Sequence, residues 1–402
     1  MNIYISGISG TGMGPLALMA KAAGFNVCGS DKGAGAILPE LERAGIEVQI
    51  GEQDGEFLKT KLQGLDWFCY TSALPADHPE LLMAKAAGVK CTKRDDLTAF
   101  LVEKLGLKMV AVAGTHGKTT TTSMVIWAAL KLGLPVAYIV GTTLGFAASG
   151  TYHEGDKFFV YEADEYDRNF LKDHPWLAVI PAVSYDHADI YPTREDYAAA
   201  FEQFKGQSEI VIEKSKLPLG DFRLAGEARR YDAALACETV HRMAPEVEVQ
   251  RIVEILNEFP GVGRRFEKLA DGIYSDYGHH PEEISATIDV ALDEAKMRGF
   301  KGVAVVYQPH QNVRQHEVKD GYREAFSKAD KVLWLPTYLV REDPNLPVLT
   351  PEELMVGIEG AEAVELGDAL FEKMMALRDE GYLVMLVTAG PADEWLRKKL
   401  GK

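Results

Sequence analysis

The chain has 402 residues, 47% hydrophobic and 26% charged, which suits two or three globular domains and exceeds one ordinary core. Its 43 basic and 60 acidic residues leave a net charge of −17, which repels nucleic-acid phosphates and anionic membranes, so neither is expected as a partner. No apolar run is long enough to span a bilayer, and Cys28, Cys69, Cys91 and Cys237 form no C-x-x-C pair; neither a zinc site nor a disulfide framework is expected. Met1 leads directly into a strand pattern, so no signal peptide is expected, and a reducing cytoplasm fits.

Strand and helix patterns alternate from end to end, which predicts parallel α/β architecture in three blocks, 1–106, 107–259 and 260–402. The first opens with a strand at Ile3-Tyr4-Ile5-Ser6 and a glycine turn, Gly7-Ile8-Ser9-Gly10-Thr11-Gly12-Met13-Gly14. A helix from Pro15 to Ala23 and a strand from Asn26 to Cys28 follow, the strand running into Gly29-Ser30-Asp31. Glycine turn, helix and acidic residue after the second strand make a Rossmann-like opening. Its glycine spacing is irregular, so a dinucleotide site for NAD or FAD and a plain tight turn both stay open.

The second block carries the most informative feature. An apolar strand, Met109 to Val112, runs into Ala113-Gly114-Thr115-His116-Gly117-Lys118-Thr119-Thr120-Thr121. A helix from Thr122 to Leu132 ends at Gly133, with Pro135 beyond. Strand, glycine turn and helix start form the geometry that cradles phosphate, with backbone N–H groups and the helix dipole facing the anion. The spacing G-x-x-G-K-T is shorter than the usual G-x-x-x-x-G-K-[ST]. Gly114, Thr115, His116, Gly117, Lys118, Thr119 and Thr120 are therefore candidate nucleotide contacts. Lys118 can neutralise the outer phosphates, and the Thr119 hydroxyl can ligate Mg²⁺.

Two more strand ends are polar. Phe158 to Tyr161 runs into Glu162-Ala163-Asp164-Glu165-Tyr166-Asp167, and Leu177 to Val183 into Ser184-Tyr185-Asp186-His187-Ala188-Asp189. Ligands of open α/β sheets sit at the carboxyl ends of strands, so both should converge on the phosphate turn. Glu162 reads as a Mg²⁺ ligand or a helix-capping carboxylate; four acids within six residues favour a cation site.

The third block has strands at Gly302 to Tyr307, Lys331 to Leu335 and Leu383 to Val387, the first ending in Gln308-Pro309-His310. Gly261-Val262-Gly263-Arg264-Arg265-Phe266-Glu267 and Asp276-Tyr277-Gly278-His279-His280-Pro281 precede them, and Asp343 to Pro351 reads as a surface loop. His279 and His280 lack a third zinc ligand at useful spacing. Arg264, Arg265 and Arg314 are candidate phosphate contacts, Arg264 and Arg314 ahead of Arg265, because arginine donates forked, charge-assisted hydrogen bonds.

Taken in this order, these motifs resemble the Mur ligases, ATP-dependent amide-forming enzymes of peptidoglycan precursor synthesis. The resemblance runs nearly end to end. It implies three α/β domains: a Rossmann-like UDP-sugar-binding domain (1–106), a P-loop ATPase-like central domain (107–259) and a Rossmann-like C-terminal ligase domain (260–402). It implies ATP and Mg²⁺ as cofactors, UDP-N-acetylmuramate as the carboxylate substrate and L-alanine as the amine, with murein tripeptide as the alternative amine. By the same resemblance, Lys118, Glu162, His187 and Arg314 are catalytic, and Thr119, Glu162 and His187 hold metal. Gly10, Thr11, Gly12, Met13, Asp31, Ser72, His78 and Arg94 lie where the family contacts the nucleotide-sugar. His279, His280, Arg264 and Arg314 lie near ATP and the bound substrate. Departures stand at Pro181-Ala182, where the family has Thr-Asn, at Gly226 to Asp232, at Gln311 and at Pro336-Thr337-Tyr338; Glu165-Tyr166-Asp167 matches the tripeptide-using branch.

Overall fold

The computed structural model describes residues 1–187, 190–340 and 342–402. Its strands form three sheets that follow one another along the chain. The first is all parallel: β1 (Asn2–Ser6), β2 (Asn26–Asp31), β3 (Glu47–Ile50), β4 (Trp67–Tyr70) and β5 (Lys90–Lys93), ordered β3-β2-β1-β4-β5. Strand order reverses between β1 and β4, so the ligand crevice of this sheet opens beyond those two ends. The strand β2 is longer than its apolar core suggests and includes Gly29 and Asp31. Glycine is required there because a Cβ at Gly29 would collide with the Ile5 carbonyl.

The second sheet comprises β6 (Lys108–Val112), β7 (Val136–Ile139), β8 (Gly150–Thr151), β9 (Phe158–Glu162), β10 (Leu177–Val179) and β11 (Ile210–Ile212), ordered β11-β10-β6-β9-β7-β8. Only β8 is antiparallel. Because β9 and β10 flank β6, the two polar strand ends lie either side of the phosphate turn. The run from Leu177 to Val183 ends as strand at Val179. Pro181, with no N–H to donate, stops the ladder, and Ala182 makes an isolated bridge to His116 instead. The helix after the turn starts at Lys118, not Thr122, and runs to Lys131.

The third sheet comprises β12 (Glu267–Ala270), β13 (Ile273–Asp276), β14 (Gly302–Gln308), β15 (Lys331–Trp334), β16 (Ala361–Ala363) and β17 (Tyr382–Thr388), ordered β12-β13-β17-β14-β15-β16, with β12 antiparallel. All of β14 is buried. Val303, Val305 and Tyr307 enter one core and Ala304 and Val306 another, the period-two split of a sheet covered on both faces.

The described chain divides into two compact units: residues 1–222 with 231–260, and residues 223–230 with 261–402. The first unit holds both the first and second sheets. One continuous apolar cluster runs through it, from Ile3, Leu16 and Leu101 to Met109, Phe159 and Phe204. Polar contacts tie the same two sheets, since Ser149 N and Oγ donate to the buried Glu40 Oε2 at 2.7 and 2.8 Å. A boundary near 106 therefore separates two sheets without separating two cores.

Candidate active site

The phosphate turn is built by close backbone approach. Gly114 has φ 150° and Gly117 has φ 80°. A Cβ at Gly114 would lie 2.7 Å from the Ala182 carbonyl, and one at Gly117 2.7 Å from Asp232 Oδ1 and 2.9 Å from Pro181 Cβ. Only glycine meets both the dihedral and the space requirement. Thr115 N donates to Ala182 O at 2.8 Å, so Pro181-Ala182 forms a wall of the turn through backbone atoms. The Thr115 hydroxyl donates to Ser184 O at 2.6 Å, which leaves the Tyr197 hydroxyl, 2.7 Å away, to donate to Thr115. His116 Nε2 pairs with Ser184 Oγ at 2.9 Å. These bonds lock β10's exit to the turn.

Lys118 is the first residue of its helix, and its side chain folds back across the turn. Nζ donates to Gly114 O, to Thr115 O at 3.3 Å and to Glu165 Oε1 at 2.9 Å. Glu165 is buried, and sequence reasoning gave it no role. Burial pushes its carboxyl up, but the adjacent Lys118 charge and bonds from His187 and Lys118 outweigh this, so it is held below the usual carboxylate range. His187, in a left-handed conformation at φ 59°, lies 3.6 Å from Glu165 Oε1 and 3.7 Å from Asp186 Oδ2. Burial opposes charge on its ring, but the bond to Glu165 and the nearby carboxylates raise its pKa above the usual imidazole range. Ala188 and Asp189, the tail of this polar cluster, lie outside the described residues.

Glu162 closes β9, next to Val112 of β6 in the ladder. Its Oε1 is buried and accepts no hydrogen bond from the described residues. An orphaned buried carboxylate oxygen costs free energy unless something compensates it, and a hard cation does so. Glu162 and Thr119, oxygen donors at the mouth of the turn, fit Mg²⁺ on this ground. His187 would have to leave Glu165 and Asp186 to bind a cation.

The first glycine turn borders a cavity of about 280 Å³ lined by Gly10, Thr11, Gly12, Met13, Ser72 and Arg94, all expected substrate contacts. Asp164, Tyr166 and Asn169, from the segment after β9, complete its wall. The turn hangs from Ser30, whose carbonyl accepts Gly7 N at 2.8 Å and Ile8 N at 3.1 Å. Asp31 Oδ2 accepts Ser9 N at 2.9 Å, so this expected substrate contact holds the turn and does not line the cavity. The buried Glu80, which the sequence did not reveal, accepts from Tyr4 (2.6 Å), Ser6 (2.6 Å), Ser30 (2.7 Å) and Gln53 (3.3 Å) beneath it. Neighbouring His78 is buried outside the cavity lining, and desolvation lowers its pKa.

In the C-terminal unit, His279 N and His280 N both donate to Glu283 Oε2, at 3.0 and 3.3 Å, where His280 precedes the helix Pro281–Arg298. The His279 and His310 rings lie 6.5 Å apart. Burial, then the charges of Arg314 and His279, depress His310 to about 4. No carboxylate among the described residues pairs with Arg314, so its charge stays available to a ligand. Arg264 is more committed: its guanidinium donates to Thr388 O at 2.7 Å and lies 4.5 Å over the Tyr277 ring. Arg265 also lies over that ring, at 5.1 Å.

The Rossmann-order sheet with its glycine turn, and the neighbouring sheet with its phosphate turn, define a nucleotide-binding α/β protein. Residues 2–104 match the model of the Mur ligase family catalytic domain and residues 112–215 that of the Mur ligase middle domain. The UDP-N-acetylmuramate–L-alanine ligase of Thermosynechococcus vestitus is 31% identical over 396 residues, covering 85% of this chain and 82% of the relative. That of Thermobifida fusca is 30% identical over 456 residues, covering 98% and 94%. The chain belongs to the Mur ligase family. Its fold matches the crystal structure of the UDP-N-acetylmuramate–alanine ligase of Thermotoga maritima, with a TM-score of 0.79 and 21% identity over 100% of this chain and 98% of that one. A murein peptide ligase from Psychrobacter arcticus gives a TM-score of 0.66, also at 21% identity and with 100% and 98% covered.

Proposed function

We propose that this chain is a cytoplasmic ATP-dependent ligase that joins L-alanine to the carboxylate of UDP-N-acetylmuramate through an acyl phosphate, in peptidoglycan precursor synthesis. We assign residues 1–106 to the UDP-sugar, 107–259 to ATP and 260–402 to completion of the ligase site. The carrying observation is that one short segment, Asp164 to Asn169, walls the cavity at the first glycine turn with Asp164, Tyr166 and Asn169 while its own Glu165 holds Lys118 at the phosphate turn. A sugar-nucleotide in the cavity and ATP on the turn would thus be brought together along one segment. The named relatives supply the substrate identities.

A carboxylate is a poor acyl donor, and like charge opposes its approach to a polyphosphate. Alignment and electrostatic stabilisation are therefore the main demands on the protein. In this reading the turn's N–H groups and the helix start hold the phosphates, and Lys118 leaves Glu165 to neutralise the γ-phosphate. Glu165, once freed, accepts from His187, so the buried carboxylate keeps a partner. Mg²⁺ held by Thr119 and Glu162 would supply further charge neutralisation; His187 would join a second ion only by giving up Glu165. Arg314 and Arg264 are assigned to phosphate oxygens and His279 and His280 to the nucleotide and substrate. The test is phosphate release from ATP: release should require UDP-N-acetylmuramate and L-alanine together. Dependence on murein tripeptide in place of L-alanine would select the recycling reaction.

A further inference from the structure

Tyr166 lines the cavity at the first glycine turn and also meets the His187 imidazole edge-on, with ring centroids 5.1 Å apart. Tyr166 as a residue is 39% exposed. The backbone around it is pinned on both sides. Before it, Tyr191 donates its hydroxyl to Glu165 O at 2.5 Å, and Tyr166 N donates to Asp164 Oδ1 at 3.1 Å. After it, Asp167 (φ 54°) and Arg168 (φ 56°) are successive non-glycine residues in the left-handed region. Such conformations are strained for non-glycine residues and persist where surroundings impose them. Here Lys93 Nζ grips Asp167 Oδ2 at 2.9 Å, and the Arg168 guanidinium lies 4.8 Å over the Tyr191 ring. The strained pair follows Tyr166 directly in the chain.

We propose that the Tyr166 ring aligns the acyl arm of the sugar-nucleotide, forming the surface over which its carboxylate passes from the cavity to the Lys118–Glu165–His187 cluster. The inference rests on the ligase reading. A nucleotide-sugar held by the glycine turn must extend a carboxylate toward the phosphate turn, and Tyr166 faces both the cavity and His187. The flat face restricts the arm's sideways freedom without adding charge that would compete for the carboxylate. Its contribution should therefore fall on turnover more than on binding, since misplacement by about 1 Å costs on the order of 10²-fold in rate.

The test compares wild type, Tyr166→Phe and Tyr166→Ser in two measurements: calorimetric affinity for UDP-N-acetylmuramate, and kcat for phosphate release with ATP and L-alanine. Tyr166→Ser should lose kcat by ~10-fold or more, with sugar-nucleotide affinity and melting temperature near wild type. Tyr166→Phe, which keeps the ring, should retain both kcat and affinity. If Tyr166→Ser keeps its kcat, or Tyr166→Phe loses as much as the serine variant, ring alignment is wrong. A serine variant that loses affinity and keeps kcat makes Tyr166 a binding wall only and overturns the proposal. Wild type that releases no sugar-dependent phosphate overturns the ligase reading itself, an outcome distinct from the others.

Discussion

Lys118 Nζ and Glu165 Oε1 lie 2.9 Å apart at the mouth of the phosphate turn, joining the first residue of one helix to the exit of a neighbouring strand. The pair holds the cation of the turn in place while no phosphate competes for it. Glu165 is nearly inaccessible and Lys118 one-fifth exposed, so removing Lys118 costs more than breaking a surface ion pair and leaves the buried carboxylate with only the more distant His187, 3.6 Å away.

Lys118→Ala should abolish ligation and keep UDP-N-acetylmuramate binding, because the cavity lining does not include Lys118. Stripping the partner from Glu165 should also lower stability by about 2–4 kcal/mol, at or below the usual range for breaking a buried pair. Calorimetry showing loss of sugar-nucleotide binding in a folded variant would contradict the separation of the two sites.

Glu162→Gln should raise the Mg²⁺ concentration that half-saturates phosphate release by ~10-fold or more, because an amide replaces a carboxylate as hard-cation donor. The variant should melt no lower than wild type, since Oε1 has no hydrogen bond to lose. An unchanged Mg²⁺ dependence would remove Glu162 from the metal site.

Glu80→Ala should destabilise the first sheet. It strips the acceptor from the Tyr4, Ser6 and Ser30 hydroxyls, at about 1–3 kcal/mol for each buried donor left unpaired. The glycine turn hangs from Ser30, so sugar-nucleotide affinity should fall as well. A melting temperature equal to wild type would show that water or Gln53 replaces the carboxylate.

Asp173 gives a pH-dependent prediction. Burial, then the charge of Asp95, pushes its carboxyl up to about 8 against the lowering effect of Arg94, and the Tyr161 hydroxyl hydrogen-bonds to it. An unfolded aspartate titrates near ~3.9. Between these values the folded chain keeps a proton that the unfolded chain releases, so stability falls as pH rises from about 4 to about 8 and levels above that. Asp173→Asn should melt close to wild type at pH 4 and several degrees higher at pH 8. A variant less stable than wild type by the same margin at both values would refute the sign.

The three sheets, the phosphate turn and its lysine were legible in the sequence because they rest on local periodicity and spacing. Gly114 to Gly117 reads directly as a turn, although the helix after it begins at Lys118, and β14 reads as a continuous apolar run. Glu165 was quoted in its motif but given no role, because its partner Lys118 lies 47 residues away and only the β6–β9 pairing brings them together. Glu80 was missed for the same reason, its donors coming from β1, β2 and Gln53. Asp31 was named as a sugar-nucleotide contact by the family resemblance; its bond from Ser9 N, 22 residues away in the chain, has no local signal. The bound near 106 came from the alternation of strand and helix patterns and from the family resemblance, neither of which reveals the apolar cluster that the first two sheets share. Shared burial, as where Gly150 backs onto Pro15, has no local signature.

The most direct test is one competition reaction: ATP, UDP-N-acetylmuramate and equal amounts of L-alanine, glycine, L-serine and murein tripeptide, with products read by mass. The L-alanine adduct should dominate, with glycine and L-serine adducts detectable, because one methyl group in a pocket discriminates by only about 1–3 kcal/mol. Product formation should stop when ATP or the sugar-nucleotide is omitted. A dominant tripeptide adduct, or no adduct from a protein that still binds ATP, would contradict the assignment.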